Sequence, residues 1–288
     1  MNVFNKRIHN YYRKAFDKYN KTFDVPKLHP DESGKVRKLY GRKEMFCYHQ
    51  FYKSISGQFD VRFMADDFYY SKVDQYYNDW NLAHIVDNKC FYELLLPQIP
   101  QCTTFAYRIN AEWFDSNRNV ISINELQDKI NNTNENLIAK IATDAEGGHG
   151  VLMIPKESNQ ENLLFDFAGK NNQDLIVQYC LKQSAKLARL HEESVNSIRV
   201  LSLRRGGKTK IYSTVLRMGI GESTVDNASS GGIVCGINDE GKLRKFAYSV
   251  YTGEKFDCHP TTKVKFEDFV VPGIERIRKY VSVTKYAF

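Results

Sequence analysis

No apolar run in the chain approaches the roughly 18 to 20 residues that a membrane span needs, and the opening segment MNVFNKRIHNYYRK lacks a stretch of signal-peptide type. A cytoplasmic location is the expectation from both absences. Cysteine is sparse: Cys47, Cys90, Cys102, Cys180, Cys235 and Cys258 show no CxxC spacing, which argues against a disulfide scaffold and for reduced, half-buried thiols. No His/Cys set has zinc spacing, and no GxSxG marks an α/β-hydrolase nucleophile. Long runs of one charge are missing as well. The net charge of +7 is spread over 41 Lys and Arg among 34 acidic residues, so the concentrated basic stripe of a nucleic-acid reader is absent, while phosphates or acidic sugars would suit the balance. There is neither an internal repeat nor a low-complexity tract.

What is present is a chain of 288 residues, 42% hydrophobic, long enough for one large domain or two to three lobes with cores of their own. Apolar residues at Val3, Ile8, Tyr11, Tyr12, Phe16 and Tyr19 predict a helix over 2–19. The polar stretch 24–45, with Pro and Gly, reads as a loop. Amphipathic stretches follow near 47–57 and 66–79, then a helix over 84–96 that Pro97 and Pro100 end, so the first hundred residues read as mainly helical. From 103 the pattern turns to short strands, TTFAYRI, LIAKIA, GVLMI, NLLF and DLIVQYC. RRGGKT and NDEGKL then join two antiparallel hairpins, and PGIERIRKYVSV reads as a terminal helix.

The segment IAKIATDAEGGHGVLMI joins a strand carrying Lys140 to a second strand through a glycine-rich turn. Gly147, Gly148 and Gly150 would let backbone N–H groups approach phosphate oxygens, with Lys140 as a point charge and His149 as a further donor; a plain hairpin turn is the other reading. No GK[ST] opens a helix and no helix follows the glycines, so this is neither a Walker loop nor a dinucleotide fingerprint. In SVNSIRVLSL, alternation puts Arg199 opposite Val200, where its guanidinium would reach a cleft for a transferring phosphate or simply be solvated; Asn196 stands beside it. LRMG brings Arg217. VDNASSGG offers Asp226 and Asn227 as oxygen ligands and Gly231 and Gly232 as open backbone, fitting a turn near Mg²⁺ or phosphate, or an Asx turn. His259 precedes Pro260 and is biased to an extended conformation from which its ring would face a substrate, or, as a lone loop histidine more often does, serve structure or face solvent.

Taken in order, VDNKCFYELLLPQIPQCTTF, AKIATDAEGGHGV, LIVQYCLKQSAKLARLHEESVNSIRVLSL, LRMGIGESTVDNASSGGIVCGINDEGKL and HPTTKVKFEDFVVPG resemble the sugar-transfer-associated ATP-grasp family, a relative of the glutamate ligases, over residues 84–275. The resemblance implies an α+β fold in which two α+β lobes clasp ATP: a helical region over 1–100, a first lobe over 101–180 and a second over 181–288. It further implies that Lys89 and Lys140 contact the α- and β-phosphates under the 144–150 loop, and that Gln178, Tyr179 and Cys180 form the hinge that pairs with adenine. Arg199 and Arg217 would hold the γ-phosphate or acyl-phosphate, while Asn227, Gly231 and Gly232, with Asn196 and His259, would shape the acceptor side. The implied activity is an ATP- and Mg²⁺-dependent carboxylate–amine ligase of surface-polysaccharide biosynthesis. The family's WDxA-like strand and ExN motif, which hold Mg²⁺, do not precede Phe288; a shortened form, a metal held by Asp226 and Asn227, or lost turnover are the expectations this raises. A sugar or small-molecule kinase and a catalytically silent nucleotide-binding protein are the competing readings. Neither nucleic acid nor a membrane is an expected partner, and the oligomeric state is open.

Overall fold

The computed structural model describes residues 3–20, 27–41, 46–79, 82, 86–143, 145, 149–250 and 252–283. They fall into two compact units, one built from residues 1–80 with a short piece at 251–254, the other from 81–250 and 255–287.

The first unit is helical. Its helices span Val3–Asn20, Pro30–Tyr40 and Phe46–Ser56, followed by a helical run from Asp66 to Tyr77 with a π-helical middle, Tyr69–Val73. Val36, Tyr48 and Ala65 are buried among half-buried aromatics, including Phe51, Tyr52, Phe59 and Phe68. A loop over 24–45 is not what forms: the helix Pro30–Tyr40 occupies much of it. Pro30 sits at the first turn where its missing N–H is harmless, the Glu32 carboxylate accepts from the His29 N–H at 2.8 Å, and Gly41 closes the helix at φ +67°. Only Val36 on this helix is buried, so an apolar stripe too thin to read in the sequence suffices once the ends are capped.

The second unit carries two antiparallel sheets. The six-stranded sheet contains β1 (Thr104–Ile109), β2 (Glu112–Asp115), β3 (Val120–Ile121), β4 (Leu137–Ile141), β5 (Val151–Ile154) and β6 (Leu175–Tyr179), in the order β3-β2-β1-β6-β4-β5. The five-stranded sheet contains β7 (Ser197–Arg205), β8 (Lys208–Met218), β9 (Ile233–Ile237), β10 (Leu243–Ser249) and β11 (Lys255–Phe256), in the order β11-β10-β9-β8-β7. Mixed helices and antiparallel sheets make the class α+β. The two expected hairpins form, β7–β8 turning through Gly206 and Gly207 at φ +56° and +76° and β9–β10 closing through Gly241 at φ +80°.

Two helices cover one face of the six-stranded sheet, Ile123–Asn131 and Gln160–Lys170. Leu126, Ile130, Leu164 and Ala168 pack there on Phe105, Leu137, Ala139, Leu175 and Val177. NLLF therefore belongs to a helix and not to a strand. Asn159 caps it by accepting from the Asn162 N–H, and Gln160, Leu164 and Ala168 are buried at four-residue spacing. Strands β2 and β3 and the helix Ile123–Asn131, capped by a Ser122/Glu125 box, were not expected at all. In the second sheet, Leu216, Met218, Ile233, Cys235, Ala247 and Ile274 form the core, with the helix Ile274–Val283 in contact with β8. Among the described residues no helix is long and apolar enough to cross a membrane.

Leu164 is fully buried in this core. Replacing it with alanine is expected to cost about 2–5 kcal/mol of stability in urea unfolding; a loss below about 1 kcal/mol would contradict the placement of this helix on the sheet.

Candidate functional site

Among the described residues each sheet keeps one face free of covering helices for part of its width, and Lys140, Gln178, Arg199 and Arg217 lie on those faces. In β4, Leu137 and Ala139 point into the core, so Ile138 and Lys140 stand on the other side. Residues directly opposite across a ladder share a face. One row is thus Val151–Lys140–Ile176 and the next Met153–Ile138–Gln178. Lys140 Nζ donates to Gln178 Oε1 at 3.0 Å, and Gln178 Nε2 donates to the Cys102 carbonyl at 3.3 Å. Val151 and Met153, 41% and 52% exposed, leave apolar surface open beside this pair.

Toward β1 the same face is closed. Cys90 is buried with Tyr107, Ala142 and Ile176. Glu93 accepts from Thr104 Oγ1 and Tyr107 Oη, each at 2.7 Å. Burial, then the bond to Glu93, raises the Tyr107 pKa, and burial pushes the Cys90 thiol up to about 12. Lys89 binds the Ala142 carbonyl twice, through its backbone N–H at 3.0 Å and its Nζ at 3.2 Å. It therefore sits where the glycine-rich turn begins.

Tyr179 and Cys180 follow Gln178 toward the second sheet. Their backbone N–H groups are spent, on the Thr103 carbonyl at 3.0 Å and the Asn136 carbonyl at 2.9 Å. The Tyr179 ring packs edge-on against Phe105, on the core side. Cys180 Sγ lies 3.2 Å from Met153 Sδ on the open side. Burial raises its thiol pKa while nearby Lys140 pulls the other way. Leu181, exposed, is the first residue of this connector whose N–H has no intramolecular partner among the described residues.

On the second sheet, Ser197, Arg199, Val215, Arg217, Val234 and Gly236 share the face opposite the Leu216–Cys235 core. Arg217 is fixed by four hydrogen bonds: Nε and Nη2 donate to Ser197 Oγ at 3.0 and 2.8 Å, Nη1 to Asn227 Oδ1 at 3.1 Å, and Nη2 to Asp226 Oδ1 at 3.3 Å. Ser197 in turn donates to Asp226 through its hydroxyl and, at 3.0 Å, its N–H. A guanidinium has about five N–H donors, so Arg217 is nearly saturated. Arg199 is exposed and has no hydrogen bond or ion pair among the described residues.

This network bears on the metal expectation. The Asp226 carboxylate is compensated by Arg217 and Ser197, the Asn227 oxygen accepts from Arg217, and among the described residues no group of three or more His, Cys, Asp and Glu gathers to hold an ion. Asp226 and Asn227 do not fit Mg²⁺. Gly232 is required by packing: a Cβ there would stand 2.6 Å from the Asp226 carbonyl and 2.8 Å from that of Met218. Gly231 adopts φ +95° at the end of a 3₁₀ turn and faces open space.

Asn196 and His259 are buried and hydrogen-bonded within the fold. Asn196 Nδ2 donates to the Leu187 and His191 carbonyls, both at 2.9 Å; its Oδ1 is buried without a partner. His259 is fully buried, its Nε2 donating to the Gly219 carbonyl at 2.9 Å and its Nδ1 accepting from the N–H groups of Thr261 and Thr262. Burial lowers its pKa, against the opposing pull of the bond to Gly219. An extended residue before proline can point inward as readily as outward, and here the ring ties Gly219 to its own loop. In the glycine-rich turn, Gly147 and Gly148 lie outside the described residues; His149 is exposed, and the carbonyl of Gly150, at φ +68°, accepts from the Ile141 N–H at 2.8 Å. Ser197 and Leu181 are the residues that sequence reasoning missed. Ser197 stood two positions before Arg199 as a visible signal, whereas nothing in the sequence distinguishes the Leu181 N–H.

The family model described as sugar-transfer associated ATP-grasp matches residues 69–286. No curated protein and no solved structure matches the chain.

A nucleotide on the open face of the first sheet would cover Cys180. Because its thiol pKa is raised and the thiolate is the reacting form, alkylation of Cys180 by N-ethylmaleimide is expected to accelerate from pH 7 to pH 9. ATP is expected to slow it at either pH, as read by peptide mass spectrometry; labelling that ignores ATP would remove this face from the nucleotide site.

Proposed function

The chain belongs to the sugar-transfer-associated ATP-grasp family, and from that premise we propose an ATP-dependent ligase that joins a carboxylate to an amine in surface-polysaccharide biosynthesis. The observation that carries the reading is the open face where Lys140 meets Gln178 amid exposed Val151 and Met153, beside a connector whose Leu181 N–H has no intramolecular partner among the described residues. An adenine ring needs an apolar floor and a backbone donor; a polyphosphate needs a cation within reach. Leu181 supplies the donor, since the N–H groups of Tyr179 and Cys180 are already used. Lys140 and Lys89 serve the α- and β-phosphates, and the turn through His149 and Gly150 closes over them. The lobes of the clasp are the segments 101–180 and 181–288, the first joined by Lys89 from the preceding segment, and the cytoplasm is where such a nucleotide-dependent protein works.

On the second sheet the division of labour follows from the hydrogen bonds. Arg199, with all its donors available, takes the transferring phosphoryl group, and Arg217, locked by Ser197, Asp226 and Asn227, offers its remaining donor as a fixed charge. In the reaction a carboxylate oxygen attacks the γ-phosphorus and ADP leaves. The amine nitrogen then attacks the acyl carbon, phosphate departs with the electron pair of the broken C–O bond, and the amine loses a proton. The protein's contribution is positioning and charge stabilisation. ATP in this family comes with Mg²⁺, which Asp226 and Asn227 are not arranged to receive.

Incubation with ATP, a panel of uronic acids and a panel of amino acids tests the reading. ADP and inorganic phosphate should appear together and only when both acceptors are present, and Arg199→Ala should lower kcat by about a hundredfold. ADP without free phosphate would mean a kinase; ATP bound with no product from any pair would mean a silent protein.

A further inference from the structure

The open face of the second sheet holds one more guanidinium that the phosphoryl site does not use. Arg244 follows Leu243 at the start of β10, and its side chain lies across Gly236 of β9: a Cβ at Gly236 would stand 2.8 Å from Arg244 Cδ and 3.2 Å from its Nε. The φ of Gly236 is not positive, so the backbone does not demand glycine there. What the missing side chain provides is the trough in which the arginine rests. The Arg244 guanidinium has no hydrogen bond or ion pair among the described residues.

Beside it, β8 runs on past the end of β9, and a cavity of about 620 Å³ opens in the step, lined by Tyr212, Ser213, Val215, Gly236, Arg244 and Arg278. Tyr212 is 56% exposed. Arg278 is spent on the Asn238 and Asp239 carbonyls and on Glu275, and the Asp239 carboxylate on the cavity wall lies 3.9 Å from it, so Arg244, with Lys210 over the Tyr212 ring at 5.0 Å, supplies the positive charge open to a ligand. Val215, on the floor, is the cross-strand partner of both Arg199 and Gly236, and Arg217 lies two residues along β8, about 7 Å away. Neither arginine lines the cavity, but through Val215, their neighbour on this face, the cavity lies one residue from both of the arginines assigned to phosphoryl transfer.

A half-exposed tyrosine ring, a serine hydroxyl and a free guanidinium around a cavity of this size are suited to a sugar that carries an acid. The ring takes the apolar face of the sugar, and the planar fork takes a carboxylate or phosphate in two parallel hydrogen bonds. We propose that this cavity is the second-substrate site and binds an anionic sugar, with Arg244 on its acidic group and Gly236 shaping the trough that aims Arg244. The proposal rests on the ATP-dependent reading for what lies next to the sugar.

Isothermal titration of the full chain, saturated with a non-hydrolysable ATP analogue, against glucuronate, glucose 1-phosphate and glucose tests it. At least one acid should bind saturably, and more tightly than glucose by about tenfold or more. Which acid binds tells carboxylate from phosphate. Arg244→Ala removes the charge; Gly236→Ala keeps it but displaces the arginine stem. Both should weaken the acid by about tenfold while the analogue's affinity and the melting midpoint stay close to wild type. Binding of neither acid, equal binding of glucose, or unchanged acid affinity in both variants would overturn the assignment. Loss of analogue binding alone, with the acid still bound, would instead strike the nucleotide reading and leave this pocket standing.

Discussion

The candidate site depends on the register in which β4 lies between β5 and β6. Leu137 and Ala139 enter a core built on Leu164, Leu175 and Val177, which forces Ile138 and Lys140 to the opposite face. A slip of one residue would drive the Lys140 ammonium under a helix and strip the core of two apolar residues, each error costing several kcal/mol. The same two-residue alternation sets Gln178 beside Lys140 and places Arg199, Arg217 and Gly236 together on the second sheet. Core packing thus positions the polar groups, and no residue needs special strain to be presented.

Within that frame, charge compensation separates the arginines. Arg217 is half-buried and held by a serine, a carboxylate and an amide; removing Asp226 or Ser197 would leave a guanidinium short of partners away from water. Arg199 and Arg244 are exposed, where solvent can satisfy a guanidinium. A fixed charge beside two available ones suits a site that must hold a reacting group in place while an anionic substrate enters and a phosphate leaves.

How much was legible in the sequence follows from the same physics. Strand alternation and paired glycines gave the β7–β8 and β9–β10 hairpins, and the run of motifs gave the family. NLLF was misread because four residues do not distinguish a helix from a strand; the distinguishing signal was the Asn159 cap outside the window. The helix Pro30–Tyr40 was hidden by Pro30 and Gly34, residues read as breakers although Pro30 sits where helices accept it. Lys140, Arg199 and Arg217 could be named from pattern and Gln178 from the resemblance, but the saturation of Arg217, the use of the Cys180 N–H and the burial of His259 depend on partners far along the chain. His259 and Gly219 are 40 residues apart in sequence, and no local pattern announces their bond.

The central claim is that the Lys140 face of the first sheet binds ATP, and the most direct measurement is the melting temperature of the full chain against ATP concentration, for wild type and for Lys140→Ala. A saturable rise in the wild type, shifted to at least about tenfold higher ATP in the variant, is the predicted result. No rise at millimolar ATP, or the same curve for both proteins, would contradict it.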